Sequence, residues 1–214
     1  MAGRFVVVGA GEWFGAPRLE AEDFLVAADG GYPHLLAAGL TPHLVIGDFD
    51  SAPPPAGLKT LRLPVVKDDT DMLAALRLGL REGYTRFALY GGTGGRIDHT
   101  LANIQCLHFL AQRGARGTLY ARDAALTAIR RGGLAFPPGL QGAFSAFSLT
   151  SRCRGVTIQG MKYTLKDATL SAAFPIGVSN QFTGGPAQVW VRQGVLLAVY
   201  PLEAQPQDLS VEGA

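Results

Sequence analysis

The chain has 214 residues, 48% of them apolar, and a formal charge of +2. That is enough apolar material for a core in one large domain or two small ones, and the scattered basic residues form no stripe for a nucleic-acid backbone. No apolar run approaches the roughly 18 residues of a membrane span, no charged leader precedes the first strand pattern, and Cys106 and Cys153 lie far apart without metal-ligand spacing. The expectation is a cytoplasmic globular protein with buried thiols and small-molecule partners, binding no nucleic acid and no membrane.

Phe5 to Val8 is a continuous apolar run closed by Gly9, the pattern of a strand buried on both faces of a parallel sheet. The GAGEWFG that follows, with Asp29 about 20 residues beyond Gly9, invites a dinucleotide-binding reading and an NAD(P)-dependent oxidoreductase. Against it, Phe14 occupies the third-glycine position and Pro17 follows closely. Phe24 to Ala28 predicts a second strand ending in ADGG (28–31), after which Pro33 suits the first turn of a short helix closed by Gly39. Leu44 to Ile46 predicts a third strand, ending in GDFDS (47–51). In KDDTDMLAALRLGLREG (67–83), Leu73, Leu76 and Leu80 fall at helical spacing, Thr70 or Asp69 can cap the start, and Gly83 ends the helix.

Thr85 to Tyr90 predicts a strand that stops at YGGTGGRIDHTLANI (90–104), a glycine loop opening a helix from about Asp98 to Arg113. Thr118–Tyr120 and Leu126–Ile129 are further short strands. From about residue 132 helical periodicity disappears, and Ala143–Leu149, Gly155–Ile158, Tyr163–Leu165, Gln188–Arg192 and Val195–Tyr200 carry strand patterns. The last two are separated by Gln193-Gly194, which predicts a hairpin. The expectation is an α/β + all-β chain: a mostly parallel three-layer α/β sheet domain over 1–131 and an antiparallel β-sandwich domain over 132–214.

Glycines serve where a backbone takes left-handed dihedrals or touches a ligand, and a helix start offers unpaired N–H groups at a positive dipole end. The loop before Asp98 therefore suits an anion, most naturally a phosphate chain, with Arg96 as a permanent forked cation. No Gly-Lys-Ser/Thr follows, so this is not a Walker A loop. Ligands of parallel sheets bind at the carboxyl ends of the strands, where Asp29, Asp48, Asp50 and Asp71 would gather. Hard oxygen ligands without histidine suit Mg²⁺, which is commonly shared with a polyphosphate. Local roles compete with this one. Helix capping and the helix dipole account for Asp69 and stay open for Asp68, Asp71 and Asp98, while Asp48 and Asp50 have only a turn to serve. His34, His43 and His108 suit a core or surface role; His99 lies inside the glycine motif.

ADGG, GDFDS, KDDTD and GGTGGRIDHTLAN, in this order, resemble the thiamine pyrophosphokinase (thiamin diphosphokinase) family. GVTIQGMKYTL (155–165), VSNQF (178–182) and GVLLAVY (194–200) look like that family's C-terminal domain. The resemblance implies transfer of a pyrophosphoryl group from ATP to the hydroxyethyl oxygen of thiamine, giving thiamine diphosphate and AMP. It implies magnesium as cofactor and a homodimer in which the α/β domain holds Mg-ATP and the sandwich helps to hold thiamine at the subunit interface. Carried over residue by residue, it implies Asp29, Asp48, Asp50 and Asp71 around magnesium. Gly30, Lys67, Asp68, Thr70, Gly92, Thr93, Gly94, Gly95, Arg96 and His99 would meet ATP and its phosphates. Asp98, Tyr163, Ser179 and Asn180 would meet thiamine, with Tyr163 stacked on its pyrimidine. Asp71, Asp98, Arg96 and Asp50 are the implied catalytic residues, Asp71 or Asp98 accepting or orienting the alcohol proton. Tyr32-Pro33 replaces the family's frequent Ala-Asn, so that asparagine has no counterpart here. The competing readings are the oxidoreductase and a non-catalytic nucleotide-binding module.

Overall fold

Every residue of β1 (Phe5–Val8) is buried, as befits a strand covered on both faces. The computed structural model describes residues 3–50, 53–64 and 69–210. After β1 come β2 (Phe24–Ala28), α1 (Gly31–Ala37), β3 (Leu44–Gly47), β4 (Thr60–Arg62), α2 (Asp71–Arg81), β5 (Arg86–Tyr90), α3 (Ile97–Gln112) and β6 (Arg116–Tyr120). These strands lie in the order β6-β5-β1-β2-β3-β4, all parallel. The chain builds outward from β1 in one direction, then returns and builds outward in the other. The order therefore reverses between β1 and β5, and the crevice outside the carboxyl ends of such a pair is where open α/β sheets bind ligands.

Side chains alternate between the two faces. Val6, Val8, Leu25, Ala27, Val45 and Ala88 share one buried cluster with Leu35 of α1. Phe5 and Phe87 point to the opposite face, where α2 comes so close that a Cβ on Gly79 would stand 2.6 Å from the Phe87 ring. Gly117, the register partner of Phe87, lies beneath Leu107 and Leu110 of α3. One helix thus covers one face and two cover the other. The buried stripe of α2 is Met72, Ala75, Leu76 and Gly79; Leu73 and Leu80 lie half-buried at its margin. Thr70 caps α2, its Oγ1 accepting from the Leu73 N–H at 3.2 Å, while Asp69 pairs with Arg77. The start of α3 at Ile97 puts Asp98 in the first turn rather than at the cap.

The remaining strands are β7 (Ala124–Phe136), β8 (Ala143–Ser148), β9 (Arg152–Gln159), β10 (Leu165–Ser171), β11 (Asn180–Gln181), β12 (Ala187–Pro201) and β13 (Gln207–Leu209), with every pairing among them antiparallel. They form an antiparallel β-sandwich. Its spine is β12, which pairs with β7 along its length, while its other edge pairs first with β9 and then with β8. The hairpin expected at Gln193-Gly194 is absent: the two strand patterns are one strand interrupted by a bulge between Val191 and Val195. Gly194 takes φ +95, a left-handed requirement that a bulge and a hairpin share, so the local pattern is the same for both. The bulge bends the strand and lets it exchange β9 for β8. Phe136, Phe144, Phe182 and Tyr200 pack edge to face inside.

By contacts, the chain separates into one unit running to Leu110 and including Ala115–Ala121, and another formed by Ala111–Gly114 with Arg122 onward. The break expected at 131 falls within β7, because the apolar run at Leu126–Ile129 pairs with β12. Tyr163 also lies outside the strand expected for it, in the turn before β10. Cys106 and Cys153 are free and buried, and burial pushes the Cys106 thiol up to about 11. Among the described residues, no helix is long and apolar enough to cross a membrane.

The long connection from β1 to β2 is closed at its base by Asp23, only 7% exposed. Its carboxylate accepts from the Arg4 N–H at 2.9 Å, from the Arg4 guanidinium at 2.6 Å and from the Glu20 N–H at 2.9 Å. Burial opposes ionisation of Asp23, but these hydrogen bonds outweigh it and hold the carboxyl below its usual range. A lowered pKa means stabilisation that is complete above the ordinary carboxylate value and lost as pH falls through the folded value. Asp23→Asn should therefore cost about 1.5–3 kcal/mol at neutral pH in urea unfolding, the range for hydrogen bonds to a charge. The gap from wild type should close below about pH 4; a pH-independent gap would contradict this assignment.

Candidate functional site

The loops leaving β1 and β5 run side by side across the switch point. Gly9 N–H donates to the Tyr90 carbonyl at 2.9 Å, Gly11 N–H to Gly91 at 2.7 Å, and Glu12 N–H to Thr93 at 3.0 Å. Only glycines permit this approach. A Cβ on Gly91, which takes φ +58, would stand 2.3 Å from the Gly9 oxygen, and one on Gly11 would stand 2.6 Å from the Gly91 oxygen. Holding the β5 loop is what the first glycines of GAGEWFG do. Residues 10–23 contain no helix, so no helix start exists there for a dinucleotide pyrophosphate, and the oxidoreductase reading falls. Instead the segment folds over α1, with Trp13 stacked on His34 at 5.1 Å and His34 Nε2 2.9 Å from the Gly11 oxygen.

The glycine loop is tied to its own helix as well. The buried Asn103 of α3 donates Nδ2 to the Gly92 carbonyl at 2.8 Å. Thr93 Oγ1 is buried and has no hydrogen-bond partner among the described residues, an unusual state for a hydroxyl. Gly94 lies under the Glu12 side chain, whose atoms come within 2.5 Å of where its Cβ would be. Gly95, Arg96 and His99 are exposed. Arg96 grips Asp98 in a fork, with Nη2 to Oδ2 at 2.6 Å and Nε to Oδ1 at 3.2 Å, while Asp98 Oδ1 also accepts from the His99 N–H at 3.0 Å. The hydrogen bond from Arg96 holds the Asp98 carboxyl below its usual range.

Because the strands are parallel, every strand end and helix start of the motifs falls on the edge that carries this loop. Asp29 follows β2 with φ +50, a conformation costly for a non-glycine residue and concentrated at functional sites. Its N–H donates to the Ile46 carbonyl at 2.8 Å, and a Cβ on Gly47 would stand 3.6 Å from its Cα, so ADGG and GDFDS are neighbours. Gly30 lies against Ala10 of the β1 loop. Asp48 Oδ1 accepts from the Asp50 N–H at 3.1 Å, an Asx-type turn, with Phe49 between them at φ +56. Asp71 opens α2. Among the described residues, no three acidic, histidine or cysteine side chains come together to hold a metal ion. Asp29, Asp48, Asp50 and Asp71 carry hard carboxylate oxygens, the donor type that suits magnesium. Lys67 and Asp68 lie outside the described residues.

In the other unit, Tyr163 is 59% exposed, and the Lys162 ammonium sits over its ring at 5.4 Å. Ser179 is exposed with φ +62, and its N–H donates to Ser145 Oγ at 3.2 Å. Asn180 is buried, and its amide is occupied by the backbone of Tyr163 and Gln181.

Two family descriptions match this chain: "Thiamin pyrophosphokinase, catalytic domain" over residues 17–119 and "Thiamin pyrophosphokinase, vitamin B1 binding domain" over residues 138–196. The chain belongs to the thiamin pyrophosphokinase family. Members of this family are transferases. Thiamine pyrophosphokinase of Bacillus subtilis (strain 168) is 26% identical over 189 residues, spanning 81% of this chain and 85% of its own. The crystal structure of thiamin pyrophosphokinase from Geobacillus thermodenitrificans superposes with a TM-score of 0.80 at 25% identity, covering 92% of this chain and 96% of that one. A thiamin pyrophosphokinase family protein from Enterococcus faecalis gives 0.79 at 26% identity, over 93% and 99%.

Sequence reasoning missed two residues that shape the thiamin pyrophosphokinase loop. Asn103 carries a weak signal, a polar residue amid the buried positions of α3; Glu12 carries none, because its contact with Gly94 depends on the pairing of two distant strands. Gly95 has open space around it at φ +62, whereas Gly91 meets backbone. Gly95→Ala should cost only the left-handed strain of about 1–2 kcal/mol. Gly91→Ala should lower the urea midpoint further, since no side-chain rotation relieves that clash; equal midpoints would show that the two loops part easily.

Proposed function

We propose that this protein is a magnesium-dependent thiamine pyrophosphokinase, transferring the β- and γ-phosphoryl groups of ATP as one unit to the hydroxyethyl oxygen of thiamine. The carrying observation is the glycine loop with Arg96, held across the switch point by the β1 loop, with four motif aspartates on the same sheet edge. Membership of the family supports the reaction.

The thiamine oxygen attacks the β-phosphorus, the bond from that phosphorus to the oxygen bridging the α-phosphate breaks, and AMP leaves with the electron pair. Such transfers ask mainly for positioning and charge neutralisation. The loop amides, the Thr93 hydroxyl and Arg96 cradle the phosphates, joined by Gly30, Lys67, Asp68, Thr70 and His99 along the same motifs. Thr70 acts through the cap it forms on α2. Asp29, Asp48, Asp50 and Asp71 present hard oxygens suited to magnesium. When bound, magnesium neutralises phosphate charge. Asp98, committed to Arg96 and stabilised as a carboxylate, is a weak base and an orienting group for the thiamine alcohol. Asp71 accepts the alcohol proton. In the sandwich, Tyr163 offers an aromatic face and Ser179 a hydroxyl to thiamine, whose thiazolium cation suits such a surface. The α/β unit supplies the donor side and the sandwich unit the acceptor side, and the chain works as a cytoplasmic homodimer.

Incubation with thiamine, ATP and Mg²⁺ should yield AMP and thiamine diphosphate in equal amounts. Nucleotide binding without product would instead indicate a non-catalytic module. Asp71→Ala should lower kcat at least about a hundredfold, the lower end for a positioned acid or base, and near-normal turnover would remove the proton-accepting role from Asp71.

A further inference from the structure

We infer that Asn180 is a positioning residue for thiamine, acting through Tyr163 rather than on the vitamin itself. Resting on the thiamine reading above, this assigns a different task to a residue implied as a direct contact. Asn180 is 6% exposed. Its Oδ1 accepts from the N–H groups of Tyr163 and Gln181, each at 2.9 Å, and its Nδ2 donates to the Tyr163 carbonyl at 2.6 Å. An amide oxygen has two lone pairs and its nitrogen two hydrogens. Both lone pairs and one hydrogen are thus spent on backbone, and little remains for a ligand.

The clamp has a clear consequence for Tyr163. Met161 bridges to Phe182, and Lys162 N–H donates to the Gln181 carbonyl at 3.0 Å. This short antiparallel ladder would carry the backbone of Tyr163 onto Asn180. There the chain turns sharply at Ser179, φ +62, and the side chain of Asn180 takes over from a partner strand. Tyr163 keeps both backbone hydrogen bonds while the residue as a whole stays 59% exposed. A strand pairing would have satisfied the same groups but fixed the ring in the alternation of a sheet. An aromatic platform already ordered before the ligand arrives spares the ligand the cost of ordering it.

The test is a double-mutant cycle on the full-length enzyme, reading the KM for thiamine, the KM for ATP and kcat for wild type, Asn180→Ala, Tyr163→Ala and the double variant. Asn180→Ala should raise the KM for thiamine about tenfold, equivalent to about 1.4 kcal/mol, and leave the KM for ATP unchanged. Added to Tyr163→Ala, it should raise the KM no further. Asn180→Asp keeps the acceptor contacts but turns an oxygen toward the Tyr163 carbonyl, so it should behave like Asn180→Ala, and it serves the same cycle if the alanine variant fails to fold. Equal effects of Asn180→Ala with and without the tyrosine would mean that Asn180 meets thiamine directly and would overturn the inference, as would an unchanged KM. If wild type turns over but Tyr163→Ala leaves the KM for thiamine unchanged, the platform itself is wrong and the inference falls with it. If wild type makes no thiamine diphosphate, the functional reading has failed first.

Discussion

The pairing of the β1 and β5 loops is the contact on which the α/β half depends. Parallel strands normally diverge beyond a switch point, because their connections cross to opposite faces of the sheet. Here the ladder continues past the strands through Gly9, Gly11 and Glu12 against Tyr90, Gly91 and Thr93. The glycine loop is held from one side by these backbone bonds and from the other by Asn103 of its own helix. Such a loop keeps its amides oriented without a ligand present, and preorganised dipoles of this kind stabilise developing charge most effectively.

The sandwich is organised by a comparable backbone device. A single bulge in β12 lets one strand serve β9 and then β8 while β7 follows it throughout. The bent pair of strands encloses the edge-to-face cluster of Phe136, Phe144, Phe182 and Tyr200. Asn180 and Phe182 belong to one short segment: Phe182 anchors it in that cluster, and Asn180 carries the anchoring outward to Tyr163. An exposed ring is thereby tied to a rigid core through two residues.

Much of the fold was legible from the chain. The all-apolar Phe5–Val8, the helical spacing around Leu76 and the glycines after Tyr90 each report a local requirement, and each lies where expected. The misreadings share a cause. Gln193-Gly194 satisfies a hairpin and a bulge equally well, and only the pairing of β7 along both halves of β12 separates them. GAGEWFG shows the glycines of a nucleotide motif, yet they serve contact with Gly91. In each case the deciding partner is far away in the chain, so local pattern carries no trace of it.

The sequence by itself determined the alternation of strand and helix, the change to β structure in the second half, and the chemistry of the site: glycines, a forked cation and carboxylates at strand ends. Those properties follow from composition and spacing over a few residues, where propensity and periodicity act. Only the tertiary structure decided which glycines touch which backbone, that Arg96 and Asp98 hold each other, that Glu12 lies on Gly94, and that no three acidic, histidine or cysteine side chains among the described residues form a metal cage. Such features are distances between groups, and distances between residues remote in sequence exist only once the strands have chosen their neighbours.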